Sequence, residues 1–401
     1  MKIKLPGLNL RKSIKPDKHL PIIIVLVVFV VAGYSLSNTK IASLQNIIQN
    51  LTNQKDQNLV ELEKIGKELE NLKNQDQIKI NKDLESKITS IETTYKKAVS
   101  VYEDLLDLKA KTTKTTDMDK DFSEVLALLS KQNYNDADKK LSDLTKSISD
   151  ENAKIAASFT IPANVPENNS PPGAGYSRQQ VSTDAGTFMV SLIATDIGST
   201  RVVVDTASDS DCPDNCPVLP LATYVSRNGA FAGVNGTYFC PASYPSCAGK
   251  TNTFDLLVMN KNKYYFNSAN NVYSNNPAVI FGGGYVRFVS SASQWGRDTG
   301  VDGVLSNYPL LVSGGNVTFG GDDDPKKGSK GSRSFVANKG NTIYIGVVHS
   351  ATVAESARVM KVLGMENALN LDDGGSTALW SGGYKVGPGR DLPNAILFVK
   401  K

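Results

Sequence analysis

The residues from Leu20 to Leu36 are almost wholly apolar, and Ile22 to Ala32 is unbroken. In a bilayer every backbone N–H and C=O must be satisfied within the segment, so such a run can only be a helix. About 20 residues span the hydrocarbon core, so the run is slightly short. Lys2, Lys4, Arg11, Lys12, Lys15 and Lys18 precede it, and no Lys or Arg follows until Lys40. The positive-inside rule then makes residues 1–19 a basic cytoplasmic tail and residues 20–37 a single-pass anchor, with the rest outside the cell membrane. The rival reading is a cleaved signal peptide, with Ala32, Gly33 and Ser35 as small residues near the cut. The anchor is preferred because a helical stalk follows directly.

That stalk is expected over residues 38–110. Leu62, Ile65, Leu69 and Leu72 recur in steps of three and four, as do Leu84, Ile88, Ile91, Tyr95, Ala98, Tyr102 and Leu105. This is a heptad seam, which predicts a coiled coil and admits a homo-oligomer paired through it; the alternative is a helical hairpin that packs on itself. The two runs are out of phase, which puts a skip at Lys79–Lys82. Residues 111–158 read as a helical hairpin: Phe122, Val125, Leu126 and Leu129 face Tyr134, Ala137, Leu141, Leu144 and Ile148 across a tight join at Asn133. Residues 159–180 hold Pro162, Pro166, Pro171 and Pro172 among Asn, Ser and Gly, and read as a linker.

From residue 181 to 401 the pattern changes to short β-type runs, at Phe188–Ala194, Thr200–Asp205, Val279–Phe281, Tyr285–Phe288 and Leu310–Val312. Strand Thr342–Val348, helix Val353–Leu363, strand Ala368–Leu371 and strand Ala395–Val399 complete it, with Gly364 as the helix C-cap. These imply an α+β domain built on a mixed sheet. The net charge of +4 over 401 residues, with no basic stripe among aromatics, gives no case for a nucleic-acid partner.

The four cysteines, Cys212, Cys216, Cys240 and Cys247, all lie in this C-terminal domain. Outside a membrane they read as disulfides. Three pairings are open, the local ones being simplest; a zinc site is disfavoured by the Cys240–Cys247 spacing.

The run Ala-Leu-Asn-Leu-Asp-Asp-Gly-Gly-Ser-Thr begins at Ala368. An apolar strand ends on Asp372 and Asp373; Gly374 and Gly375 let the backbone turn and approach a ligand. Paired carboxylates raise the pKa of one of them, which suits acid–base hydrolysis of a glycosidic bond. A right-handed crossover makes Thr342–Val348 and Ala368–Leu371 parallel, so His349 and Asp372 share a sheet edge. The hairpin signal Asn338–Asn341 brings Arg333 to that edge, where its guanidinium could grip a phosphate. Asn235-Gly236 suits a turn that offers an amide to a sugar hydroxyl. Singly, each has a structural alternative: an ion pair for Arg333, a hydrogen-bonded imidazole for His349, a strand turn for Asn235. Their convergence argues for a site.

These residues resemble the phosphodiester glycosidase family, whose animal member uncovers mannose 6-phosphate by removing N-acetylglucosamine and whose bacterial relatives are often labelled exopolysaccharide-biosynthesis proteins. The matching pieces are Val234–Phe239, Tyr308–Val312, Arg333-Ser334, Thr352–Ala357 and Asn370–Ser376, in the family's order. The family usually has Gly where this chain has Asp373. The resemblance implies a sugar-1-phosphate diester hydrolase with Asp372 as acid/base or stabiliser of the oxocarbenium-like state, Arg333 on phosphate and His349 assisting proton transfer. Glu355, in the first turn of its helix, is a weaker catalytic candidate whose structural alternative is a helix-dipole partner. Asp373, where the chain departs from the family, either clogs the loop or supplies a second catalytic carboxylate. Asn235, Gly236, Gly374, Gly375 and Ser376 would line the sugar. No cofactor is required; the acidic loop and Asp322-Asp323-Asp324 admit a divalent ion such as calcium. The competing classes are a non-catalytic glycan-binding or adhesion module on a stalk, and a structural envelope spacer.

Overall fold

The structure is a computed structural model that describes residues 20–73, 76–267 and 274–401. The basic tail expected at residues 1–19 lies outside the described residues. The chain divides into two units, one ending at Thr89 and the other running from Ser90 to Lys401.

In the first unit, α1 (Leu20–Lys73) is long and apolar enough at its start to cross a membrane. Helix α2 (Asp76–Lys109) begins in this unit and passes through Lys79–Lys82 without a break. Nothing there is Gly or Pro, so the backbone has no cause to break. Leu62, Ile65, Leu69, Leu72, Leu84 and Ile88 of the heptad stripe are all exposed.

The second unit opens with a three-helix bundle. Helices α3 (Thr116–Ser130) and α4 (Tyr134–Ser158) fold back on each other, as the hairpin pattern predicts. Gln132 takes the left-handed conformation at the turn, and Asn133 caps α4 by accepting from the Asp136 amide. Their apolar faces close over Ala98, Val101, Leu105 and Leu108 of α2. Tyr102 stacks on Phe122 with ring centroids 4.9 Å apart. The expected stalk therefore ends earlier than residue 110, because the hairpin supplies an intramolecular partner for the last part of the seam.

The linker expected at 159–180 is also shorter than its composition suggests. Strand β1 (Gly175–Thr183) pairs with β2 (Gly186–Asp196) along its whole length. The polar sequence of β1 hides a strand because Gln179 and Gln180 spend their side chains on the preceding turns: Gln179 donates to Asn168 and Ser170 carbonyls, and Gln180 to Val165.

Among the described residues, three antiparallel sheets make the C-terminal domain. The largest runs β1, β2, β13 (Thr342–Ala351), β12 (Gly331–Lys339), β14 (Asn367–Asn370), β10 (Leu310–Ser313), β11 (Asn316–Val317). The second runs β16 (Tyr384–Val386), β15 (Leu379–Ser381), β4 (Ala232–Asn235), β17 (Asn394–Lys400), β3 (Thr200–Thr206). The third runs β6 (Tyr265–Phe266), β5 (Val258–Met259), β9 (Gly303–Ser306), β7 (Ala278–Phe281), β8 (Val286–Val289). One core joins all three, through residues such as Ile345, Val347 and Leu369, then Val204, Val234 and Phe398, then Val279 and Leu305. The far face of the largest sheet is covered by α7 (Val353–Val362) through Val353, Ala357 and Met360. Strands buried on both faces read as continuous apolar runs, which is how β2, β7, β13 and β17 look in the sequence.

Strands β13 and β14 run parallel, as the crossover rule requires, with β12 antiparallel to both between them. The start of β12 and the ends of β13 and β14 therefore meet at one edge.

Candidate active site

At that edge β12 pairs Phe335 with Asn370, which sets Arg333 and Ser334 beside the residues that follow β14. The chain leaves the strand held on both sides: Leu371 N–H donates to Ser334 O (2.9 Å) and Asp372 N–H to Gly236 O (2.9 Å). It then turns at Gly374, whose φ of +59° is the left-handed region open to glycine, into the short turn Gly374–Ser376.

Asp373 is held by three donors. Its carboxylate accepts from Arg333 Nη1 at 3.2 Å, from the Ser334 amide at 2.9 Å and from Asn370 Nδ2 at 2.9 Å. Burial raises its pKa, and the Arg333 charge opposes the rise. Three more of the five donors of Arg333 are also used. Nε donates to Ala351 O at 3.0 Å, and Nη2 to the carbonyls of Lys326 (2.8 Å) and Ser329. The guanidinium thus clamps the 326–329 turn and the end of β13 onto the Asp-Asp loop.

Asp372 has a different environment. Burial pushes its carboxyl up to about 7; the Ser376 hydroxyl and the Arg390 charge pull against that, and the Asp373 charge adds to it. A carboxyl poised near neutral pH can give or take a proton, which the fully paired Asp373 cannot do as readily. Tyr238 lies alongside. Its hydroxyl accepts from Asn370 Nδ2 at 2.9 Å, and its ring leans on Tyr308 with centroids 5.1 Å apart. Burial and the two carboxylates keep the phenol protonated well above its usual range.

The other predicted residues divide between framework and site. Asn235 is fully buried and its amide is used internally: Nδ2 donates to Asp372 O (2.7 Å), and Oδ1 accepts from Ser334 Oγ (2.8 Å) and the Ala378 amide (3.1 Å). It staples β4 to the loop and presents nothing to a sugar. Gly236 is required by packing, because a Cβ there would collide with the Asn394 side chain. Gly375 lies under the Arg390 guanidinium, which a Cβ would strike. Gly374 faces solvent, and Ser376 is buried against Asp372.

His349 is not with Arg333. Val348 pairs with Arg333 and shares its face, so the next residue points the other way. His349 Nε2 meets Ser191 Oγ at 3.0 Å, and the ring lies parallel to Phe159. Burial, helped by the Arg178 charge, pushes it down to about 4, so it is a neutral structural imidazole. Glu355 also serves structure. Oε2 accepts from the Thr352 amide in a capping box for α7, and Oε1 pairs with Lys330 at 2.8 Å.

The cysteines pair locally, as Cys212–Cys216 and Cys240–Cys247. Asp322 and Asp324 are both paired with Lys327. Among the described residues, no group of three or more His, Cys, Asp or Glu side chains converges as a metal site.

Sequence reasoning missed Arg390, Tyr244 and the contribution of α2. The backbone of Arg390 is tied to the loop through its amide and Gly375 O at 2.8 Å. Its Nη2 is 3.5 Å from Asp107 Oδ1 of α2, and Tyr244, on the Cys240–Cys247 loop, donates to Asp107 Oδ2. Glu103, one turn earlier on α2, accepts from the Ser246 amide at 2.9 Å. The signal in the sequence was Arg390-Asp391 in a Gly/Pro-rich stretch just before the last strand; no local pattern ties it to Asp372.

Residues 228–399 match the family model described as phosphodiester glycosidase. No curated protein matches the chain. Among solved structures, a hypothetical protein from Synechocystis is 14% identical with a TM-score of 0.43, and the match covers 56% of this chain and 62% of that one. The chain thus spans less than two thirds of that protein. The zebrafish N-acetylglucosamine-1-phosphodiester alpha-N-acetylglucosaminidase catalytic domain, auto-inhibited by its pro-peptide, is 13% identical with a TM-score of 0.45 over 59% of this chain and 87% of that one. Residues 228–399, which hold Asp372, Asp373 and Arg390, are thus similar in sequence to a phosphodiester glycosidase domain.

Proposed function

We propose that this protein is a cell-surface hydrolase of sugar-1-phosphate diesters in envelope or extracellular polysaccharide. The observation that carries the reading is Asp372: a carboxyl raised to about 7, on a glycine turn, inside the residues that match the family model. In the reaction the bond between the anomeric carbon and the phosphate oxygen breaks. The protonated Asp372 gives its proton to the leaving phosphate oxygen. Water adds to the anomeric carbon and returns a proton to the carboxylate, leaving free sugar and a phosphomonoester. Asp373 keeps its partners throughout and supports Asp372 by charge. The reading assigns no metal to the site.

The surface placement is supported by the apolar start of α1 and by two disulfides in the C-terminal domain. With the N-terminus cytoplasmic, protease added to intact cells removes the C-terminal domain; full protection rejects the topology. The exposed heptad stripe would pair with that of a second copy, which sedimentation of the detergent-solubilised chain reads directly.

The decisive test is to incubate the protein with a panel of sugar-1-phosphate diesters and assay released sugar. Release from at least one diester is expected, and release from none sinks the hydrolase. One observation favours the alternative of a glycan-binding module: the Arg333 fork is already spent on protein acceptors. A binder would retain glycan affinity with no turnover to lose.

A further inference from the structure

We propose that Arg390 receives the phosphate of the substrate, and that the Asp107 carboxylate of α2 holds that guanidinium until phosphate displaces it. The proposal rests on the hydrolase reading only for the kind of anion, a phosphodiester. Arg333 is closed to such an anion. Its guanidinium meets three carbonyls and one carboxylate and lies almost wholly out of solvent, so an incoming phosphate would have to break the clamp that holds the loop.

Arg390 is the cation whose charge acts on the Asp372 carboxyl. It packs on Gly375, where the missing side chain leaves it room, and a quarter of its side chain is exposed. Its carboxylate partner, Asp107, stands off at 3.5 Å and is 30% exposed. That is a loose pair, and a phosphate offers the same fork two oxygens in better geometry.

Two cations converge on the Tyr244 ring beside Asp107. Lys326 Nζ lies 4.7 Å from the centre of the Tyr244 ring, and Arg390 Cζ lies 5.5 Å from it. The Tyr244 hydroxyl, pointed at Asp107, is a neutral donor that serves a phosphate oxygen equally well. The disulfide Cys240–Cys247 encloses the loop that carries it. The face of α2 that reaches this cluster, Glu103, Asp104, Asp107 and Lys111, repeats at helical spacing, and the Lys326 charge acts on Asp104. Asp107 is thus a carboxylate standing where a phosphate oxygen would stand.

Calorimetric titration of the full chain in detergent with inorganic phosphate at pH 7 tests this. Asp107→Asn removes the competing charge and should tighten phosphate binding about fivefold, the scale of a partly exposed pair. Tyr244→Phe frees Asp107 without changing charge and leaves the ring in place, so it reports the cost of losing the hydroxyl donor: binding should weaken about twofold to fivefold. Arg390→Gln should weaken binding about tenfold or more. Melting curves establish that each variant is folded. Affinity that does not rise in Asp107→Asn, or that persists in Arg390→Gln, overturns the proposal. If the affinities move as stated but no diester is hydrolysed, the hydrolase reading falls and this assignment stands.

Discussion

Two arginine–aspartate pairs flank the same loop and are built in opposite ways. On the strand side, Arg333 and Asp373 are 3.2 Å apart with side chains 7% and 8% exposed, and both make further hydrogen bonds. On the helix side, Arg390 and Asp107 are 3.5 Å apart with side chains 25% and 30% exposed. A buried pair costs desolvation that only full hydrogen bonding offsets, so removing one member strands the other. A loose, wet pair is worth little and is easily exchanged. The first pair therefore belongs to the architecture of the loop and the second is open to a ligand. Asp372 lies between them, and its proton is set by both.

The largest expected effect is on stability. Arg333→Ala should cost about 3–5 kcal/mol by leaving Asp373 buried and unpaired. Arg390→Ala should cost at most about 1 kcal/mol. Denaturant unfolding compares them, and equal losses would erase the distinction between the pairs.

Next comes turnover. Asp372→Asn should lower hydrolysis of a susceptible diester by roughly 10²-fold or more while the melting temperature holds. Hydrolysis at the parent rate would return this carboxyl to the turn. Smaller again is the capping box: Glu355→Ala should cost about 1 kcal/mol of stability and leave turnover unchanged, which separates α7 from the chemistry.

The pH dependence sharpens the comparison further. The folded Asp372 carboxyl titrates at about 7, against about 4 for the unfolded chain. Between those values the folded protein keeps a proton that the unfolded chain releases, so its contribution to stability is lost as pH rises through that window. Turnover should likewise fall as pH passes about 7, because the general acid is used up, and Asp372→Asn should lack that limb. His349 works in the opposite sense. It titrates at about 4 when folded and near 6.5 when unfolded, so its contribution to stability grows as pH rises between them. His349→Gln should remove that gain and make stability fall more steeply from pH 4 to 7. An unchanged profile in both variants would mean that neither group is perturbed.

Much of the frame was legible. The hairpin at Asn338–Asn341 and the crossover through α7 follow from turn chemistry and handedness, and together they place Arg333 beside Asp372. The placement of His349 failed by one residue. Strand pairing gives the correct sheet edge but not the correct face, and in a strand one residue reverses the face. Stalk and linker were overextended for a related reason. An apolar stripe does not say whether a hairpin or a second chain covers it, and a polar strand such as β1 looks like linker until Asn168 and Ser170 arrive to accept from Gln179.

The amino-acid sequence by itself determined the periodic and local features: the apolar N-terminal run, the heptad stripe, the bundle hairpin, the strand set and the glycine turn after two carboxylates. These depend on residue spacing and backbone preference, which neighbours along the chain encode. Tertiary structure alone decided which carboxylate is committed and which is free to titrate, that Arg333 is a clamp, that Asn235 faces inward, and that Arg390, Tyr244 and Asp107 meet beside Asp372. Those outcomes depend on desolvation and on hydrogen-bond saturation, and both are set by groups that arrive from far along the chain.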